Sequence, residues 1–134
     1  MQHGIIRSFL LALTLTASSA PLLAHHSFAA EYDDTKPIKV TGVLTKVEWQ
    51  NPHVWFYVDV KSEDGKVTNY AFSGGAPGQL MRRGIMKSAL VIGSTITVDG
   101  FKAKDGSTNG YGSKVTFPDG RMVFTSNQGA EEKH

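Results

Sequence analysis

The chain has 134 residues, with 14 lysines and arginines against 12 acids, five histidines and no cysteine. That length suits one compact domain, and the near-balance of charge excludes the concentrated basic face that a dedicated nucleic-acid binder needs. Without cysteine there is neither a disulfide framework nor a thiolate metal site, so an ordinary apolar core must hold the domain.

The first 24 residues read as a secretory signal peptide. Arg7 supplies the positive start, residues 9–17 an apolar run too short for a stable anchor, and residues 18–24 a small-residue exit. Cleavage after Ala24 is favoured over cleavage after Ala20, which would leave Pro21 just past the cut. The mature chain is then expected to begin at His25 and to reside in the periplasm, with no membrane span, since no second apolar segment follows. Loss of Arg7 leaves it one charge from neutral.

Residues 25–37 read as an N-terminal extension, residues 38–126 as a β domain and residues 127–134 as a disordered polar tail. A first strand is expected over residues 38–49, with Gly42 marking a bulge or bend. A second, over residues 53–61, alternates: Val54, Phe56, Val58 and Val60 face the core, while His53, Trp55, Tyr57 and Asp59 face outward. A third covers residues 67–72. Pro77 then suits a first helical turn and Gly84 a left-handed helix end, so a short helix is expected over residues 77–83.

Strand alternation resumes over residues 95–103, with Ile96 and Val98 on one face. Residues 107–113, rich in Gly, Asn and Ser, read as a loop before a closing hairpin of residues 114–117 and 122–125. Asp64-Gly65, Asp105-Gly106 and Asp119-Gly120 supply the tight turns. Three strands, a short helix and further strands make this an all-β chain, in the order of a small five- to six-stranded OB-like Greek-key barrel with its helix between strands three and four. A sandwich or an SH3-like barrel has similar strand spacing, but the inserted helix is less expected there.

Two groups of residues carry chemistry. Cleavage after Ala24 gives His25 both a free α-amine and an imidazole Nδ1, which close a chelate ring on one metal ion. A second imidazole, from His26 or His53, would complete a three-nitrogen histidine brace, a donor set that favours Cu(II). The plainer reading leaves His25 and His26 on a mobile terminus and His53 at the start of a strand. The second group is the strand end, Asn-Pro turn and strand start that bring Glu48, Trp49, Asn51, His53, Trp55 and Tyr57 together. Trp55 and Tyr57 would form a stacking platform for a ring or sugar, with His53 and Glu48 as polar partners. Alternatively, Trp49 and Trp55 cover the barrel end and Asn51 organises its own turn.

Other motifs point away from catalysis. Residues 74–78 are Gly-rich but lack the Lys-Ser/Thr ending of a phosphate-binding P-loop, and no Gly-x-Ser-x-Gly elbow or Ser-His-acid order occurs. The sequence favours a non-enzymatic periplasmic binding module for a small ligand or protein partner. A copper-binding protein built on His25 is the alternative, and a structural adaptor a third possibility.

At His25-His26-Ser27-Phe28, Glu31-Tyr32-Asp33, Glu48-Trp49-Gln50-Asn51-Pro52-His53 and Gly75-Ala76-Pro77-Gly78-Gln79-Leu80 the chain resembles an uncharacterised bacterial domain-of-unknown-function family of small exported proteins. The resemblance spans nearly all of residues 25–125. It implies a secreted β-barrel domain and no known reaction. In similar chains the stretch after the helix is more polar than residues 85–94 here.

Overall fold

The computed structural model describes residues 28–124. A helical turn at residues 28–31 leads into β1 (Tyr32–Glu48), β2 (Trp55–Lys61), β3 (Val67–Ser73), α1 (Pro77–Arg82), a 3-10 turn (Lys87–Ala89), β4 (Thr95–Ala103), β5 (Asn109–Thr116) and β6 (Met122–Phe124). The chain is mostly β. Its strands form one sheet in the order β3-β2-β1-β4-β5-β6, and β3 also pairs with β5. That last pairing is parallel, whereas the others are antiparallel.

The alternation read along strand two is the alternation of burial. Val54, Phe56 and Val58 are fully buried, and Ile96 and Val98 of β4 join them in one cluster with Leu44, Phe72 and Val115. Phe56 stacks on Phe72 at a centroid distance of 5.6 Å. Burial of one such side chain contributes about 1.5–3 kcal/mol. Leu80, also in the cluster, fixes α1 against the sheet. Pro77 occupies the first helical turn, where a missing N–H costs nothing, and Gly84 follows the helix at φ 78°.

The three Asp-Gly pairs form turns, with Gly65, Gly106 and Gly120 all at positive φ. Each aspartate closes its own turn: Oδ1 of Asp64, Asp105 and Asp119 accepts the backbone N–H two residues on, from Lys66, Ser107 and Arg121. Gly42 answers a different need. A Cβ there would lie 2.2 Å from the Asp59 carbonyl oxygen, so only glycine lets β1 pass β2 this closely at the bend.

Two boundaries differ from the sequence reading by more than two residues. The first strand starts at Tyr32, not at residue 38, so the second half of the expected extension belongs to the sheet. Tyr32 and Asp33 pair with Ala103 and Lys102, and the register then slips before Pro37, which places the residue without an N–H beside an irregularity. Residues 109–113, expected as loop from their Gly and Asn content, belong to β5. The physical reason is packing: a Cβ on Gly110 would lie 2.9 Å from the Phe72 ring and one on Gly112 2.4 Å from the Phe56 ring. These glycines are strand residues whose side-chain space two core aromatics occupy.

The expected signal peptide, His25, His26 and the expected tail of residues 127–134 lie outside the described residues. Among the described residues no helix is long and apolar enough to cross a membrane.

Candidate functional site

The outward face of β1 and β2 is built by register. Lys46 pairs with Tyr57 and Glu48 with Trp55 across the two strands, just past a bulge between Leu44 and Lys46. Lys46 and Glu48 form an ion pair, the Tyr57 hydroxyl donates to Glu48 Oε2 at 3.0 Å, and the Lys46 ammonium lies 5.0 Å from the Tyr57 ring centroid. The three groups hold one another in their ordinary ionisation states. The Lys46 hydrogen bond, followed by that of Tyr57, lowers the Glu48 carboxyl, and burial, followed by the Glu48 hydrogen bond, raises the Tyr57 phenol.

The Asn51–Pro52 peptide in the β1–β2 connection is cis. Asn51 and His53 are exposed, while Trp49 turns inward and packs against the core. His53 Nδ1 lies 3.2 Å from the Gly74 carbonyl oxygen. A carbonyl only accepts, so Nδ1 carries the proton in this contact and the lone pair of the neutral ring is on Nε2. The adjoining backbone is clamped in both directions, Val54 N–H to Gly75 and Gly74 N–H to Val54.

The N-terminal turn lies against the same region. Phe28 meets Tyr111 edge-on at 4.9 Å and Tyr32 at 5.5 Å, with Phe101 completing the cluster at 6.1 Å. The Tyr32 hydroxyl is 2.7 Å from the Ser73 hydroxyl, and Ser73 pairs with Trp55 on one side and Tyr111 on the other. Lys104 ties the turn down from below through its backbone N–H to Glu31 and its side chain to Ala29. Between the turn and the strands lies an open hollow of about 500 Å³, walled by half-buried Trp55, with Glu31, Lys104, Asp105 and Asn109 on its polar rim. Such a wall offers one apolar face for stacking and both signs of charge around it.

A family model matches residues 12–113, most of the chain, and is described as a family of unknown function, DUF6152. The chain belongs to that family. The match includes the helix-forming segment, the Asn-Pro turn and all the residues of the hollow, and it ends within β5, so the family resemblance covers the site and the sheet as far as residue 113. No curated protein and no solved structure matches the chain.

Of the six residues expected to form one site, the structure joins Glu48 and Tyr57 directly, sets Trp55 opposite Glu48 in the strand register but in the wall of a hollow that neither Glu48 nor Tyr57 lines, and keeps Asn51 and His53 exposed at the turn. Trp49 is separated from them by its packing on the core. Sequence reasoning missed Lys46, whose spacing of two from Glu48 was the available signal. It also missed Ser73 and the rim residues Lys104, Asp105 and Asn109, which only the fold brings to Trp55. Of the three proposed metal ligands, only His53 is described. Among the described residues no three His, Cys, Asp or Glu side chains converge.

Proposed function

We propose that this is an exported, OB-like β-barrel module that binds a small ring-bearing polar ligand, such as a sugar or aromatic acid, in the hollow walled by Trp55. The barrel reading is supported by the circuit of pairings β1–β2, β2–β3, β3–β5, β5–β4 and β4–β1, and by a helix placed between β3 and β4. Export to the periplasm rests on the character of the first 24 residues.

One observation carries the binding reading: a half-buried indole forms the wall of an open hollow whose rim holds an ammonium, two carboxylates and an amide. An indole used only for packing has no need of an open polar cavity against it. Binding is favoured over catalysis because the ionisable trio Lys46, Glu48 and Tyr57 is internally paired, its acid held ionised and its phenol held protonated. A general acid or base is instead tuned toward neutrality.

The test is fluorescence of the Trp49→Phe variant, in which Trp55 is the remaining indole, titrated with a panel of monosaccharides, disaccharides and aromatic acids. The reading predicts a saturable change for at least one of these, abolished by Asn109→Ala or Lys104→Ala. A flat response across the panel contradicts it.

A further inference from the structure

We infer that residues 81–92 form a docking surface for an anionic lipid bilayer, with Met81, Met86, Val91 and Ile92 entering the headgroup boundary and Arg82, Arg83 and Lys87 meeting lipid phosphates. The inference rests neither on the ligand hollow nor on where the mature chain begins. The first observation is where the apolar side chains stand. The four are between 46% and 60% exposed, and three consecutive turns hold them there. At the end of α1 the N–H groups of Gly84 and Ile85 donate to the carbonyls of Met81 and Leu80, a Schellman cap, with Ile85 packed on the core cluster that contains Leu80. In the 3-10 turn Ala89 N–H donates to the Met86 carbonyl, and buried Leu90 anchors the turn below. Ser94 N–H then donates to the Val91 carbonyl, while Gly93 and Ser94 each bond to the Leu44 backbone of β1. The tip of this last turn, where polar residues are usual, is Ile92. The exposed apolar groups thus stand on a hydrogen-bonded frame, and docking needs little further ordering of the backbone.

The second observation is charge. No aspartate or glutamate occurs between Asp64 and Asp99. Arg82, Arg83 and Lys87 are exposed, and among the described residues no carboxylate pairs with them. Arg121, which donates to the Ala89 carbonyl oxygen, brings its own counter-ion in Asp119. A chain close to neutral as a whole therefore carries uncompensated positive charge on the same segment that exposes its apolar side chains.

The two observations together select the occupant. Long basic side chains lay their apolar stems along neighbouring apolar surface and keep their charged heads at headgroup level, and each cation near an anionic bilayer strengthens binding roughly fivefold. A second copy of the chain would set the patch against itself across a two-fold axis, bringing the three cations onto their like. Protein interfaces are anchored on aromatic residues, and residues 74–94 contain none. Unbranched Met81 and Met86 beside unpaired cations suit a fluid anionic surface that adapts to them.

The experiment sediments the purified, exported chain with vesicles of phosphatidylglycerol and phosphatidylcholine in equal parts, and with vesicles of phosphatidylcholine alone. The expected result is binding to the anionic vesicles that weakens as salt rises, with far less binding to the neutral ones. The triple variant Arg82→Gln, Arg83→Gln, Lys87→Gln should weaken binding by more than about tenfold, and the double variant Met86→Ser, Ile92→Ser by at least about fivefold. Val67→Ser removes an equally exposed apolar side chain from β3 and should bind as the wild type does. All the altered side chains are exposed, so circular dichroism spectra and urea midpoints should stay close to wild type. Binding left intact in both patch variants, as an apolar leader retained on the chain would give, overturns the inference. Absence of vesicle binding overturns it too: in favour of a second copy if the chain forms a dimer that Met86→Ser, Ile92→Ser breaks, and of an acidic protein partner if soluble polyglutamate binds instead.

Discussion

The hydroxyls of Tyr32 and Ser73, 41 positions apart in the chain, lie 2.7 Å from each other in a buried setting. Through that contact the first residue of the long strand is fastened to the last residue of β3. The same contact fixes the N-terminal turn as one wall of the hollow, because Ser73 is the cross-strand partner of Trp55. Removal of either hydroxyl leaves the other without this partner. Tyr32→Phe and Ser73→Ala should each cost about 1–3 kcal/mol, and the double variant less than their sum, because the second change removes a group already orphaned. Urea unfolding of the four proteins measures this. Strict additivity would show that the two hydroxyls do not act on each other.

Burial is the main cause raising the Tyr32 phenol above its ordinary 10.0, with the Ser73 hydrogen bond opposing it. The folded protein thus keeps this proton while the unfolded chain releases it near its ordinary value. Stability should be full below about pH 10 and fall as the pH rises beyond it. The Glu48 carboxyl is lowered from 4.5, chiefly by Lys46, so its smaller contribution is present above that value and lost as the pH falls through the lowered one. Urea midpoints across pH should show Tyr32→Phe flattening the alkaline loss. Glu48→Gln should remove this acid-side contribution, which is small because the group is partly exposed, and should also lessen the alkaline loss through Tyr57, whose phenol is raised by burial and then by Glu48.

Phe56→Ala should cost about 3–5 kcal/mol, as deletion of a buried aromatic does. Gly112→Ala attacks the same contact from the opposite side, since its Cβ would fall 2.4 Å from the Phe56 ring. An overpacked site of this kind costs about 1–3 kcal/mol. Thermal or urea unfolding of both variants decides the matter, and a neutral Gly112→Ala would contradict the placement of β5 against the core.

Strand two, the helix and β4 were legible because each follows a local rule: alternation, a proline start with a glycine stop, and alternation again. Tyr32 and residues 109–113 were not. Tyr32 reads as part of an extension until β4 supplies Ala103 as its partner, and Gly110 and Gly112 read as loop until Phe72 and Phe56 are seen to occupy their side-chain space. The site divides in the same way. Glu48, Trp55 and Tyr57 follow from strand parity, whereas Lys104, Asp105 and Asn109 reach Trp55 only through the pairing of β4 and β5 with the rest of the sheet. Trp49 shows the limit of composition, since an indole beside an Asn-Pro turn carries no mark of which way it faces.

The exposed apolar side chains Met81, Met86, Val91 and Ile92 lie around the helix and the 3-10 turn, none of them among the residues that wall the hollow, and they supply the contrast for the most direct measurement. Amide chemical shifts of the labelled protein, titrated with the sugars and aromatic acids, report where a ligand binds without any substitution. The account predicts the largest changes at residues 30–32, Trp55, residues 103–105 and Asn109. Changes concentrated at residues 81–92, with the hollow unperturbed, would contradict it.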